Sequence, residues 1–372
     1  MKVTHVITGL NDGGAEAVLY RLCTNATDVT HHVVSLMDEG KYGPLLRKAG
    51  VAVSCMNMPQ GRVTLRGLWR LWRLLRRQRP DVVQTWMYHA DLIGGVMARL
   101  AAVRRIYWGV HNSNLDRGVA KRSTIWVMKA CAWLSGLVPT RIACCAQLAL
   151  EVHRQQGYAA RKLVVIPNGY DLSLFAPDEV TRAQLRAEWG VDERWTLGMV
   201  GRFEPPKDHR TLLEALALLR QRQVDFAAVL VGHGLDHDNI ELGTWLRTLG
   251  LVEHVKLLGQ RSDVPAVMNA LDVHVLCSMR EAFPNVVAEA MACGTPTVVT
   301  DVGDAATIVA NTGWVVPRKN AMALAAALDA ARSAWQDTSG WPLRQQAARQ
   351  RVVDNYSLDR MVERYRQLWM AS

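Results

Sequence analysis

Apolar residues along this chain fall into short continuous runs, not an alternating in-and-out pattern. VTHVIT (3–8), HHVVSLM (31–37), VAVSCMNM (51–58), VVQTW (82–86), RRIYWGV (104–110), RIACCA (141–146) and LVVIPNGYD (163–171) each read as a strand with little polar relief. Helical stretches separate several of them, at 15–23, 64–78 and 147–156. The rhythm restarts with WTLGMVGR (195–202), a helix over 211–222, and DFAAVLVGHG (225–234). HVKLLGQ (254–260), DVHVLCS (272–278), TPTVVTD (295–301) and GWVVP (313–317) follow, and a last helix covers about 358–370. Strand, loop and helix in repetition predict an α/β architecture of parallel sheets with crossover helices. The turn-rich PNGYDLSLFAP (167–177) reads as a linker between two doubly wound domains. The expected boundaries are 1–175 and 176–355, with a C-terminal helix at 356–372 packing back on the first domain. A length of 372 residues suits two domains at roughly 100–200 residues each.

Open α/β sheets bind ligands beyond the carboxyl ends of their strands. The loops there hold Gly13-Gly14, His111, Arg202–Lys207, Gly232–Gly234, Gly259–Asp263, Glu281–Asn285 and Asp301–Asp304. Small, cationic, acidic and imidazole groups together suit a phosphate-bearing sugar compound. EAFPNVVAE (281–289) concentrates this chemistry. Glu281 stands in a loop, where it can accept hydrogen bonds from sugar hydroxyls. Pro284 is expected at the first position of the next helix, which carries Glu289, able to accept from vicinal hydroxyls. The backbone N–H groups of Phe283, Asn285 and Val286 would open that helix, and a helix start attracts anions. Arg202 and Lys207 supply full positive charges for a phosphate group. Gly13 and Gly14 would let the backbone approach phosphate or sugar closely.

These segments resemble the retaining GT-B glycosyltransferases of family 4, also called glycosyl transferases group 1. The likeness rests on Gly-Gly-Ala-Glu (13–16), Gly109-Val-His111-Asn112, Pro-Asn-Gly-x-Asp (167–171), Gly-Arg-x4-Lys (201–207), E-x7-E (281–289) and CGTPTVVTDVGD (293–304). It implies two Rossmann-like parallel-sheet domains facing a central cleft, the first for acceptor and the second for a nucleotide-sugar donor. It implies transfer with retention, no metal and no other cofactor. The resemblance sets His111 against the donor sugar, with Asn112 beside it. It sets Glu289 on the ribose, and the nucleobase against the backbone near Gly259 and Arg261. Similar proteins often carry Gly after the lysine, where this chain has Asp208. Many extend lipid-linked glycans for lipopolysaccharide, capsule or exopolysaccharide. A GT-B nucleotide-sugar epimerase, or a non-catalytic nucleotide-sugar binder, is the alternative.

Charge adds a partner. The net charge is +10, and it is uneven: 23 Lys+Arg face 10 Asp+Glu through residue 175, and 21 face 24 beyond it. Such a basic half predicts an anionic partner. TLRGLWRLWRLLRRQR (64–79) reads as a basic amphipathic helix, with Leu65, Leu68, Trp69, Leu71, Trp72 and Leu75 on one face. Arg66, Arg70, Arg73 and Arg77 form the opposite stripe, and Arg117, Lys121, Arg122 and Lys129 add to it. The expected partner is the anionic inner leaflet of the cell membrane, met peripherally by a cytoplasmic protein. No recognition motif accompanies the charge, which disfavours nucleic acid. MKVTHVITGL reads as a first strand, not a signal peptide. Seven scattered cysteines predict reduced thiols. The first loop, GLNDGG, lacks the G-x-G-x-x-G of a dinucleotide oxidoreductase. Asp236-His-Asp238 has a metal-binding spelling, but reads as a polar turn.

Overall fold

Short runs of β-branched and aliphatic residues form the strands because both of their faces are covered. THVI of the first strand, and all of TLGMV (196–200) and AAVLV (227–231), are buried. The computed structural model describes residues 1–11, 13–111, 122–191 and 193–370. Asn112, Arg117 and Lys121, and the side chain of Arg122, lie outside the described residues.

The chain divides into two units, Met1–Gly169 with Leu358–Ser372, and Tyr170–Ser357. Among the described residues the first unit has β1 (Lys2–Ile7), β2 (Thr30–Ser35), β3 (Ala52–Cys55), β4 (Val82–Trp86), β5 (Arg105–Val110), β6 (Arg141–Cys144) and β7 (Leu163–Val165). They form one parallel sheet in the order β3-β2-β1-β4-β5-β6-β7. Val6 of β1 lies opposite Val34 on one side and Thr85 on the other. The second unit has β8 (Thr196–Val200), β9 (Ala227–Val231), β10 (Val255–Leu257), β11 (Val273–Leu276), β12 (Thr297–Thr300) and β13 (Trp314–Val316). Their order is β10-β9-β8-β11-β12-β13, again all parallel. The order reverses between β1 and β4 in the first sheet, and between β8 and β11 in the second. Those two points are where a doubly wound sheet opens a crevice.

The last helix, Leu358–Met370, belongs to the first unit. Its Tyr365 and Trp369 are buried in the core formed by Val3, Ile7, Leu19 and Trp86. The Trp369 indole N–H donates to Gln84 Oε1 at 3.2 Å. In the second unit Leu197, Met199, Leu212, Leu216, Phe226 and Leu230 build a separate core.

The structure revises two expectations. The units meet at Gly169 and Tyr170, not at 175/176. Tyr170 is buried, pairs with Ser357, and takes a backbone bond to Tyr356 O at 3.0 Å. Arg349 then holds the carbonyl of Phe175 at 3.0 Å, so the stretch from 170 to 175 is tied into the second unit. Pro284 is the cap before the helix Asn285–Ala292, not its first residue. Its ψ of 95° is extended, while its carbonyl accepts from Val287 N at 3.1 Å. The expected helix forms over Leu65–Gln78. Thr64 caps it by accepting from Gly67 N at 3.1 Å, and Arg79 ends it in a left-handed turn. Of its seven leucines and tryptophans only Leu71 and Leu75 are buried, while Leu65 and Trp69 are exposed.

Candidate active site

Two loops at the reversal point of the second sheet are fastened to each other. The loop after β8 runs through Arg202 to the turn Pro205–Lys207, and the loop after β11 runs through Glu281. Met279 N donates to Pro206 O at 2.8 Å. The buried Cys277 thiol, which burial pushes well up, lies 3.3 Å from the carbonyls of both Lys207 and Asp208. Lys207 Nζ then lies 2.6 Å from Glu281 Oε1, and Ser278 Oγ donates to the same oxygen at 2.8 Å. Both charged side chains are mostly screened from solvent, at 22% and 16% exposure, so this pair is stronger than an ordinary surface bridge. Beneath it, burial and secondarily the Lys207 charge push His274 down to about 3. That imidazole is neutral, and among the described residues neither ring nitrogen has a partner.

Asp208 explains a departure from the family pattern. Its φ of +53° lies in the left-handed region, which Gly adopts freely and Asp tolerates better than most residues. Its carboxylate also caps the helix His209–Gln221, accepting from Thr211 Oγ1 at 2.8 Å. One residue supplies both the turn and the cap.

The helix Asn285–Ala292 begins four residues after Glu281. Its first side chain is pinned, since Tyr170 OH donates to Asn285 Oδ1 at 2.6 Å. The Phe283 ring is buried edge-on against Tyr356, with centroids 5.6 Å apart. Val286 lies in the first turn and Glu289 one turn further, both partly buried. A third loop closes on the second. Gly303 has a φ of +56°, and a Cβ there would lie 2.5 Å from Ala282 O and 2.7 Å from Glu281 O. Neighbouring loops are joined by Gly201 N to Val231 O at 2.8 Å and Gly232 N to Gly259 O at 2.7 Å.

Other expected residues are differently engaged. Arg202 is exposed and lies 3.2 Å from Glu204, the surface pairing open to any cationic loop. The Arg261 guanidinium makes two bonds to Asp263, at 2.8 and 2.6 Å, and the Gly259 N–H donates to Leu235 O at 2.8 Å. Asp236 Oδ1 accepts from Asp238 N at 3.2 Å, so Asp-His-Asp forms a turn.

In the first unit, His111 follows β5 and stacks on Trp86 at the end of β4, with ring centroids 5.1 Å apart. Burial pushes His111 down to about 4, so it is neutral at neutral pH. Its Nε2 is enclosed and without a partner among the described residues. A buried relay fixes Trp86 from behind. Its indole N–H donates to His5 Nδ1 at 3.2 Å, His5 Nε2 to His31 Nδ1 at 2.9 Å, and His31 Nε2 to Ala26 O at 3.2 Å. The direction is forced, because indole only donates and a carbonyl only accepts. His5, His31 and Cys23 have ligand atoms within 4.8 Å of one another. Every ring nitrogen is already committed, so this trio is a polar core cluster and not a cation site. Gly13 caps the helix Gly14–Asn25 with an extended φ of −154°, and an added Cβ there would meet the Glu16 carboxylate. Gly13 is therefore not required by a left-handed turn.

A family model described as Glycosyl transferases group 1 matches residues 181–347. One described as Glycosyltransferase Family 4 matches residues 12–174. The chain belongs to the family 4 glycosyltransferases. This glycosyltransferase is 28% identical over 252 residues to UDP-Gal:alpha-D-GlcNAc-diphosphoundecaprenol alpha-1,3-galactosyltransferase of Escherichia coli. That match takes in 66% of this chain and 64% of the relative, slightly under two thirds of its length. Glycogen synthase of Mycobacterium tuberculosis is 27% identical over 100% of this chain and 90% of that one. The crystal structure of Anabaena HepE in complex with UDP matches with a TM-score of 0.87 at 23% identity, covering 99% of each chain. The fold of this glycosyltransferase is GT-B, as the motifs implied.

Several residues that build the site went unmarked in the sequence of this glycosyltransferase. Ser278, Cys277 and Tyr170 act through contacts across 3 to 115 positions. Gly303 lies in the loop Asp301–Asp304 that the sequence did mark, directly after a buried strand.

Proposed function

We propose that this protein transfers a sugar from a nucleoside-diphosphate donor to a lipid-linked glycan, with retention at the anomeric carbon and without a metal ion. The observation that carries the reading is the Lys207–Glu281 pair, 2.6 Å apart at the reversal point of the second sheet, beside the start of the Asn285–Ala292 helix. A departing diphosphate gathers negative charge as the glycosidic bond lengthens. Lys207 and Arg202 meet that charge from one loop, and the amides of Asn285 and Val286 meet it from the helix start. Interactions that strengthen as the charge develops lower the barrier itself. These fixed positive groups take the place of a divalent ion. Glu281, held by Lys207 and Ser278, is set to receive hydroxyls of the transferred sugar. Glu289 receives those of the ribose. The backbone near Gly259 lies against the base.

The first unit takes the acceptor and contributes His111. A neutral imidazole with an enclosed ring nitrogen suits hydrogen bonding to a sugar hydroxyl better than charge neutralisation. HepE was solved with UDP-glucose, and the Escherichia coli relative acts on a diphosphoundecaprenol-linked sugar. Those facts support a uridine donor and a polyprenyl diphosphate-linked acceptor, met at the cytoplasmic leaflet.

The test is a transfer reaction with labelled UDP-, GDP- and ADP-sugars, membrane lipid extract as acceptor, and EDTA present. The expected result is a labelled lipid-linked product with the donor's anomeric configuration. Product formation only with added manganese, an inverted product, or nucleotide release with no labelled lipid would each overturn the corresponding part.

A further inference from the structure

The three helices Leu65–Gln78, Tyr88–Leu100 and Arg122–Leu134 form one layer of the first unit, the middle one packed between the others. Their outer surface is unusual in two independent ways. First, it is apolar where a solvated layer should be polar. Trp69 is 53% exposed, Trp126 72% and Trp133 79%, with Leu65, Leu100 and Leu137 exposed beside them. Trp126 and Trp133 lie seven positions apart, so they share one helix face. Second, its charge has one sign. The only acidic residue in the three helices is Asp91, which is fully buried. Arg66, Arg70, Arg73 and Lys129 are all exposed. Arg73 lies 5.1 Å from the centre of the Trp69 ring, and Lys129 5.7 Å from that of Trp126. Cation and indole therefore occupy the same depth.

We infer that this helical layer is a bilayer-docking face, with Trp69, Trp126 and Trp133 entering the headgroup–acyl boundary of an anionic membrane and the arginines meeting lipid phosphates. Indole rings, apolar in body and polar at one edge, favour that boundary. A basic layer with aromatic bulk and no exposed carboxylate is complementary to it in both charge and polarity. Nucleic acid would match the charge but not the leucines. A protein partner would match the apolar bulk, but nothing here requires it to be anionic throughout. The inference rests on the lipid-linked acceptor proposed above, and it names the surface that brings the enzyme to that acceptor.

Flotation of the full chain tests it, with vesicles of phosphatidylcholine alone and with added phosphatidylglycerol. Neither vesicle contains a glycan acceptor. Wild type should float with the anionic vesicles. Trp126→Ser with Trp133→Ser should weaken binding by about tenfold or more. Arg66→Gln, Arg70→Gln and Arg73→Gln together should weaken it by about a hundredfold and remove the preference for phosphatidylglycerol. Each variant should melt as wild type does and should turn over donor normally in detergent. Equal flotation of wild type and the tryptophan variant would overturn the inference. So would wild type that floats with neither vesicle. A concentration-dependent dimer lost in the tryptophan variant, or RNA that displaces the protein from vesicles, would assign the face to another occupant. Normal flotation without sugar transfer would strike the proposed function and leave this surface standing.

Discussion

Replacing Gly303 with alanine tests how Glu281 is held. The substitution has two separable costs. The φ of +56° is left-handed, and that conformation costs an L-residue about 1–2 kcal/mol. The second cost is steric. A Cβ 2.5 Å from Ala282 O and 2.7 Å from Glu281 O meets backbone, which cannot swing aside as a side chain would. The segment carrying Glu281 must move. Gly190 provides the control. It ends the helix Glu179–Trp189 with a φ of +62°, and nothing lies within 4 Å of an added Cβ. Gly190→Ala therefore bears the first cost alone. At about 2–4 °C per kcal/mol for a unit of this size, it should lower Tm by roughly 2–8 °C and keep the wild-type rate. Gly303→Ala should lower Tm further and reduce donor turnover. A displacement of about 1 Å at a reacting group can cost up to ~100-fold. Melting by calorimetry and steady-state transfer on the same preparations would decide it. Wild-type turnover in Gly303→Ala, with a Tm equal to that of Gly190→Ala, would refute the clamp.

Lys207→Met should reduce kcat by about 100- to 1,000-fold, the usual effect of removing one preorganised charge donor. Combined with Glu281→Gln it should cost less than the product of the two single effects, because the residues form one pair; strict multiplicativity in steady-state kinetics would contradict this. At position 208 the melting order should be Asp and Asn highest, then Gly, then Ala. Gly loses the cap at a cost of only a few tenths of a kcal/mol, while Ala loses about 0.5–2 kcal/mol of capping and also strains the left-handed turn; an Ala variant as stable as Gly would contradict the reading. Burial pushes His31 from 6.5 to about 4, so between those values the unfolded chain takes up a proton that the folded chain refuses. Stability should then fall as pH drops through that window, by about 3 kcal/mol from this residue by pH 4, and His31→Gln should show a shallower slope. A urea midpoint unchanged between pH 6.5 and 4 would contradict a neutral buried ring.

Much of the fold was legible because parallel strands buried on both faces leave continuous apolar runs. Thirteen such runs mark the thirteen strands among the described residues. Glu281, Lys207 and Asn285 were legible for a related reason: a carboxyl-edge loop must interrupt such a run, and unlike charges stand out there. What stayed hidden depends on contacts between distant segments. Lys207 and Glu281 are 74 positions apart, and Trp86 and His5 are 81 apart. Backbone sign was legible at Asp208 only through the resemblance, since similar proteins often carry Gly where this residue makes its left-handed turn. Periodicity placed the helix Leu65–Gln78 but not its burial. It located an apolar stripe, but it could not tell which end of that stripe the neighbouring helix covers. Leu71 and Leu75 are buried, while Leu65 and Trp69 face outward.

The central claim is that the second unit holds a nucleoside diphosphate between Lys207 and the start of the Asn285–Ala292 helix. Titration calorimetry of UDP, GDP and ADP into wild type and Lys207→Met, in the presence of EDTA, tests it most directly. At least one nucleotide should bind wild type, and Lys207→Met should bind that nucleotide at least tenfold more weakly. No binding by wild type, or equal affinity in the two proteins, would contradict the account.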